Sequence, residues 1–556
     1  MRYLLLMLVL ACSQPSGQAG APVLHGDFDI LIRNGEVIDG SGAPRVRADI
    51  GIRGDTIIDI GDLSHKTATT TIDAKNQVVT PGFIDLLGHS EGSVLIDPHV
   101  EGKVRQGVTT EVTGEGHSPG PINDAMAAEI NRTKIAGFPE ATWRSLADYM
   151  KTVEKRGSAI NFAFYIGAAN PREIVIGTVD RDPTPAELQQ MERIVEQAVH
   201  EGAVGMTTAL IYPPGRFAKT PELIALAKHT PSYWTHLRSE SGEIISALDE
   251  AFRIGREAHV PVNIFHIKVG GTMRGHMPEV VAKIEEARKS GLDVAGSIYP
   301  YTATSTDLIS IVPAWAQEKG YLAFVASLKD PATRARVAQN LRIADANGIL
   351  VRNLPNAPAD AKQKFERKRL DEIARLMNTT PQEAVLRLFE MSSASPIAIY
   401  FGLREDDLRY VMKQPWVAVG SDSGAVVGVM REVGAHPRAY GTFPRILGYY
   451  ARDQHLFTLE EAVRKMTSLA ASRAGFKDRG LLRKGMKADV VVFDPKTIRD
   501  VSTYEDPHHF SEGISNVIVN GTPVLQNGAM TPALPGRVLR SADVSSAASG
   551  RPARSP

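Results

Sequence analysis

Between residues 81 and 474 the chain alternates short apolar runs with amphipathic helical stretches, and this alternation restricts its fold more than any other feature. "INFAFYIGAAN" is followed by "TPAELQQMERIVEQAVHEGA" and "VGMTTAL", and "SYWTHLRSE" by "GEIISALDEAFRIGREAHV". "PVNIFHIK", "EVVAKIEEARKSG" and "LDVAGSIYPYT" continue the series. Strands joined through crossover helices pair in parallel, and their repetition predicts an α/β fold, a (β/α)8 TIM-like barrel. Thr184-Pro185 with Glu187 in the following turn has the residue types that open a helix.

The barrel is flanked by β-rich segments. "FDILIRNGEVIDGSG" and the strands after it, with Asn34-Gly35 as a hairpin signal, fill residues 28–80. A matching pattern returns in "ADVVVFDPKTI" and "ISNVIVNGTPVLQNG". Residues 28–80 and 475–535 are therefore expected to pair into a small β-sandwich around a barrel over 81–474. From about 307 to 400 the alternation gives way to charged helical sequence such as "DAKQKFERKRLDEIARLM", read as an inserted helical subdomain that covers the barrel mouth. Residues 536–556 are small and polar and are expected to form a disordered tail.

Residues 1–27 have the layout of an export leader. Arg2 precedes an apolar run from Leu4 to Leu10, which is too short to span a membrane. Cys12 is the sole cysteine, so no intramolecular disulfide can form. "VLAC" resembles a lipobox, in which Cys12 is acylated, and the Ser/Gln/Gly/Pro stretch after it would serve as a tether. The expected location is the periplasmic side of a bacterial membrane; an ordinary signal peptide and a soluble periplasmic protein are the alternative. Lys+Arg and Asp+Glu balance at 63 each, which gives no electrostatic case for a nucleic-acid partner or an acidic membrane surface.

In such a barrel the chemistry sits at the C-terminal ends of the strands. Ligand-type residues follow five apolar runs: His89 after "GFIDLLG", Glu115 and His117 after "GVTTEVTG", His236 after "PSYWT", His266 after "VPVNIF" and Asp422 after "PWVAVGS". A lone histidine after a strand is usually a packed core residue. Five strand ends in succession point instead to a metal site.

"PGFIDLLGHSE", "QGVTTEVTGEG", "THLRSESGE", "VPVNIFHIK", "GSDSG", "HPRAYGTFPRILG" and "TSLAASRAGFKDRGLLRKGMKADVVVFDP" together resemble the amidohydrolase superfamily, in particular its D-aminoacylase (N-acyl-D-amino-acid deacylase) branch. The resemblance covers about residues 28 to 528. It implies that His236 and His266 hold a catalytic zinc ion and that Asp422 handles protons beside it. The branch also carries a cysteine ligand, whose position here is Gly116, and a His-x-His pair, whose first position is Leu87. Glu115 is the nearest replacement for the cysteine, with His117 a weaker candidate. His89 is expected as an optional ligand. Losing half of His-x-His should spare the tight site, so one bound Zn2+ is expected.

The same resemblance implies that Lys268, Tyr299 and Ser305 grip the free carboxylate of a small-molecule N-acyl amino acid or short peptide, with Arg238 as a further candidate. A lysine two residues from a zinc histidine suits an anion clamp, although Lys268 could equally pair with a neighbouring acid. The expected activity is metal-dependent hydrolysis of N-acyl-D-amino acids or D-residue-containing amides. A cyclic-amide hydrolase or dipeptidase on the same barrel is the alternative enzyme. A non-catalytic lipid-anchored binding protein is the alternative of another class.

Overall fold

Strands buried on both faces need hydrogen-bonded neighbours on each side, and the chain meets that demand by closing a barrel. The computed structural model describes residues 26–432 and 434–541; the expected leader, with Cys12, lies outside them except for its last two positions. Eight parallel strands form the barrel: β1 (Phe83–Gly88), β2 (Val108–Thr113), β3 (Asn161–Phe164, resuming as Ile166–Gly167), β4 (Met206–Ala209), β5 (Tyr233–His236), β6 (Val262–Ile264), β7 (Val294–Ile298) and β8 (Val417–Val419). Each pairs with its neighbours in chain order. Closure between β8 and β1 falls just beyond the strands: Gly88 bridges Ser423, and the Asp422 amide donates to the Leu87 carbonyl at 2.8 Å.

The crossover helices begin where the sequence provides caps. In the helix Pro185–His200, Thr184 and Glu187 form the reciprocal capping box that satisfies orphan N–H groups of the first turn. Its inward stripe of Met191, Val195 and Ala198 is buried.

Between β7 and β8 lies the inserted subdomain. It carries helices, including Pro331–Gln339, Leu370–Leu376 and Pro381–Met391, around its own apolar cluster of Leu308, Phe324, Val351, Ile373 and Phe389. It also holds an antiparallel sheet of Ala303–Asp307, Ile397–Phe401, Ile349–Val351 and Lys368–Arg369, so it starts on a strand at Ala303. These strands bring Ser305 and Arg352 to the barrel mouth.

The two terminal segments pair as expected, through Phe493↔Val78 to Val490↔Pro81. They form one hydrogen-bonded sheet of nine strands. Its edge strand Thr56–Gly61 returns to the segment just before the mid-sheet strand Val490–Phe493, where the Ile57 amide donates to the Met486 carbonyl at 2.9 Å, enclosing Ile30, Ile50, Ile52, Val79, Val490 and Ile518. Residues 536–541, read from sequence as the start of a loose tail, instead run along the lower end of β3. There the Gly536, Leu539 and Ser541 amides donate to the Ser158, Phe162 and Gly202 carbonyls. Backbone pairing overrides the polar composition of this stretch.

Sheet and barrel are joined by a buried polar knot. Asp489 pairs with Arg479 and accepts from the Asn520 amide at 2.7 Å and from Asn161, the first residue of β3, at 3.2 Å. Replacing Asp489 with alanine removes the buried partner of Arg479 and leaves that buried charge with only the exposed Asp478 carboxylate, at 3.1 Å. The expected loss in denaturant unfolding is measurable and at most the roughly 3–5 kcal/mol of a fully uncompensated buried charge. An unchanged transition would show that the joint does not hold sheet and barrel together.

Candidate active site

The upper strand ends place three ligand-type groups around one point. His236 ends β5, His266 lies two residues beyond β6, and Glu115 lies two residues beyond β2. Glu115 Oε1 is 3.0 Å from His236 Nδ1 and 3.1 Å from His266 Nε2, and the two imidazole rings lie edge to face, 4.4 Å apart. His89, Glu115 and Asp422 form a second group of possible ligands that shares the Glu115 carboxylate. His89 Nε2 is 3.2 Å from Asp422 Oδ1 and 3.5 Å from Glu115 Oε2. His266 and Asp422 both adopt left-handed backbone angles, with φ of 34° and 51°. Non-glycine residues are held there at a cost, and such strain concentrates at functional sites.

The loop after β2 explains why the ligand stands at position 115. Gly116 has φ of 67°, and a Cβ added to it would lie 2.5 Å from the Ala209 Cβ. No side chain fits there, so position 116 cannot supply a ligand while position 115 projects one between the histidines.

Charges behind the site set its protonation. Burial alone would raise the Glu115 carboxyl, but the hydrogen bonds from His236 and His266 hold it well below the usual range. Burial likewise opposes ionisation of Asp422, and the Arg438 guanidinium beside it overrides that, keeping the carboxyl low. Arg438 Nη1 donates to Asp422 Oδ2 at 2.7 Å. Burial disfavours the charged form of His89, yet Asp422, Glu91 and Glu115 raise it to about 9. Glu240 backs both histidines: its Oε1 is 3.1 Å from His266 Nδ1 and 3.6 Å from His236 Nε2. A carboxylate in that position orients ligating imidazoles and makes them more basic.

Beneath His89 and Asp422 lies a fully buried ion cluster. Lys103 Nζ donates to Asp85 at 2.7 Å, to the Ser421 hydroxyl at 2.9 Å and to the Ser423 carbonyl at 2.6 Å, with Glu111 at 3.3 Å. Glu111 accepts from the Ser90 amide at 2.7 Å and fills the space that a Cβ at Gly88 would need. Leu87 belongs to a buried apolar cluster with Ile84, Val112 and Trp234 and offers no ligand atom.

The other expected residues fall in different places. Lys268, Tyr299 and Ser305 line the same cavity of about 1390 Å³ as the ligand groups. Lys268 Nζ, however, donates to Glu240 at 2.6 Å and lies 2.7 Å from His266 Nδ1. The Tyr299 hydroxyl is buried without a hydrogen-bond partner, among the described residues. Arg238 does not reach the cavity: Glu250, on the following helix, and the Arg216 and Ala218 carbonyls take its guanidinium. His117 borders the cavity but pairs with Glu173 at 3.3 Å and joins neither group of possible metal ligands. Reading the sequence missed Glu240, Arg438, Arg352 and Lys103. Only Glu240 carried a local hint, standing four residues after His236 in "HLRSE".

Two imidazoles and one carboxylate suit a divalent metal ion with a position left open, and this is the donor set of catalytic sites. The buried His236 Nε2 atom makes no hydrogen bond, with Glu240 Oε1 standing 3.6 Å away, so Glu115 is the one hydrogen-bond partner of that ring among the described residues. His236, His266 and Glu115 would be the ligands, with His89 at the edge.

Glu115→Gln should lower metal affinity by at least the roughly 10–100-fold that loss of an outer-shell partner costs. Gly116→Cys added to Glu115→Ala should fail to restore it, because the thiol has no room. Metal titration after chelation checks both, and recovery of metal by the double variant would overturn the assignment of position 115.

The model of the amidohydrolase family matches residues 70–525. D-aminoacylase of Alcaligenes xylosoxydans xylosoxydans is 37% identical over 518 residues, covering 92% of this chain and 97% of that protein. N-acyl-D-glutamate deacylase of the same organism is 34% identical over 521 residues, covering 92% and 96%. The crystal structure of N-acyl-D-glutamate deacylase from Bordetella bronchiseptica, complexed with zinc and a phosphonate mimic of the tetrahedral intermediate, superposes with a TM-score of 0.79 at 32% identity, covering 92% of this chain and all of that one. With a barrel of this order and ligand groups at these strand ends, the chain belongs to the amidohydrolase family, in its D-aminoacylase branch.

Proposed function

We propose that this protein is a zinc-dependent amide hydrolase that releases amino acids from N-acyl-D-amino acids or related D-residue amides. The observation that carries the reading is the convergence of Glu115, His236 and His266 on one point with Asp422 beside them. A divalent ion held there supplies Lewis acidity and a water that ionises near neutral pH.

The chain's own residues do the rest. Asp422, kept ionised by Arg438, accepts the proton of the attacking water and returns it to the leaving amine nitrogen. His89, 3.2 Å from the other Asp422 oxygen, fixes the carboxylate's orientation. Glu240 holds the two zinc histidines from behind, and the Lys268 ammonium holds Glu240. Tyr299 and Ser305 face the cavity on the side where a substrate carboxylate would lie.

Assayed on N-acetyl derivatives of D- and L-amino acids, the protein should release amine from the D series. Asp422→Asn should lower kcat by about 10²–10⁴ while bound zinc is retained. Hydrolysis confined to cyclic imides, or an active Asp422→Asn enzyme, would overturn the reading.

We also propose export and lipid anchoring at Cys12, supported by the basic residue and short apolar run before it. Expressed in a bacterial host, the protein should incorporate labelled palmitate, and Cys12→Ala should abolish the label. Equal labelling of both forms would exclude the anchor.

A further inference from the structure

Lys268, Arg438 and Arg352 are among the cations that line the cavity, and the first two are already neutralised. Lys268 Nζ donates to Glu240 at 2.6 Å, and Arg438 Nη1 to Asp422 at 2.7 Å. Arg352, the residue after the strand Ile349–Val351 of the inserted subdomain, is not. Among the described residues no carboxylate lies within the 4.0 Å of an ion pair; Asp307 pulls on it through space from farther away. Its Nε donates to the Gly434 carbonyl at 2.8 Å and its Nη1 to the Ser305 hydroxyl at 3.0 Å. A guanidinium has five N–H donors. The donors that Gly434 and Ser305 leave free have no protein acceptor among the described residues, and Arg352 borders the cavity. A half-buried guanidinium with free donors and no counter-charge in contact is placed to take an anion that enters the cavity.

Ser305 ties this arginine to the reacting end of the cavity. Its hydroxyl accepts from Arg352, and its carbonyl accepts from Arg438 Nη2 at 3.2 Å, while Arg438 grips Asp422. The wall built by Ser305 therefore presents one guanidinium committed to the catalytic acid and one that is uncommitted.

We infer that Arg352 is the anchor for the substrate's free carboxylate, so that the inserted subdomain, and not the lysine after β6, supplies the anion-binding group. The inference rests on the amide-hydrolase reading above. The ligand is a monocarboxylate on a linear amide, taken by paired guanidinium N–H bonds. Lys268 is a positioning residue instead, acting through Glu240 and His266.

The test uses the full-length zinc protein and two substrates: an N-acetyl-D-amino acid that the wild type cleaves, and its C-terminal carboxamide. Arg352→Gln should raise KM for the acid about 10- to 100-fold, the range of a charged hydrogen bond, with little change in kcat. It should leave kcat/KM for the carboxamide unchanged, and Arg352→Lys should recover part of the loss. If Arg352→Gln does not fold, Arg352→Lys alone should still raise KM for the acid selectively, since it loses the paired geometry. An unchanged KM for the acid, or equal losses on both substrates, would overturn the inference. A wild type that cleaves neither substrate would overturn the hydrolase reading itself.

Discussion

The mouth of this barrel depends on one carboxylate oxygen shared by two imidazole nitrogens. Glu115 Oε1 stands about equally far from His236 and His266, and a buried oxygen–nitrogen contact of this kind persists only if a proton on the imidazole or a shared cation lies between the two atoms. Its placement comes from backbone geometry. Gly116 bends the loop after β2 against Ala209, which removes any room for a side chain and leaves position 115 aimed inward. A thiolate one residue later would need a different loop. The ligand set of this chain is thus decided by which position in the turn has space.

Barrel closure provides the second half of the site. Lys103 lies under the seam between β1 and β8, and its ammonium touches Asp85 on one side and Ser421 and Ser423 on the other. The Ser423 carbonyl also accepts from the His89 amide at 3.3 Å, and Asp85 accepts from the Ser421 amide at 2.8 Å. His89 and Asp422 are therefore positioned through the same buried hub. A fixed charge there tolerates an apolar Leu87, since neither residue needs a ligand at position 87 to hold it in place.

How far the sequence could be read follows from the range of the interactions. Strand-end positions repeat with the βα period, so His236, His266, Glu115 and Asp422 are legible as a set. Arg352 follows a strand of three residues, too short for an alternating pattern, and its place at the mouth depends on pairing with Ile397–Phe401. Arg438 stands in a quoted motif, but its contact with Asp422 arises only when the segment after β8 folds back over the strand ends. Arg238 shows the reverse. Two residues after a ligand in sequence, it lies beyond the end of β5 and is captured by Glu250 on the next helix. The nine-stranded sheet was legible from its two matching halves, whereas the ordered 536–541 segment was not, since its pairing is backbone to backbone.

Charge distribution adds what net charge conceals. The chain balances at zero overall, yet among the described residues the cavity is lined by six lysine or arginine side chains and four carboxylates. A bound divalent cation would add to that excess. Low-dielectric walls focus such a field, so an anion is drawn in before any specific contact forms. Inside, Lys268 is held by Glu240 and Arg438 by Asp422, which spends two cations on orienting the reactive groups and leaves the field to be read at Arg352. A neutral cyclic amide would gain nothing from this arrangement. The geometry thus favours a linear amide with a free carboxylate, on electrostatic grounds that are independent of the family to which the chain belongs.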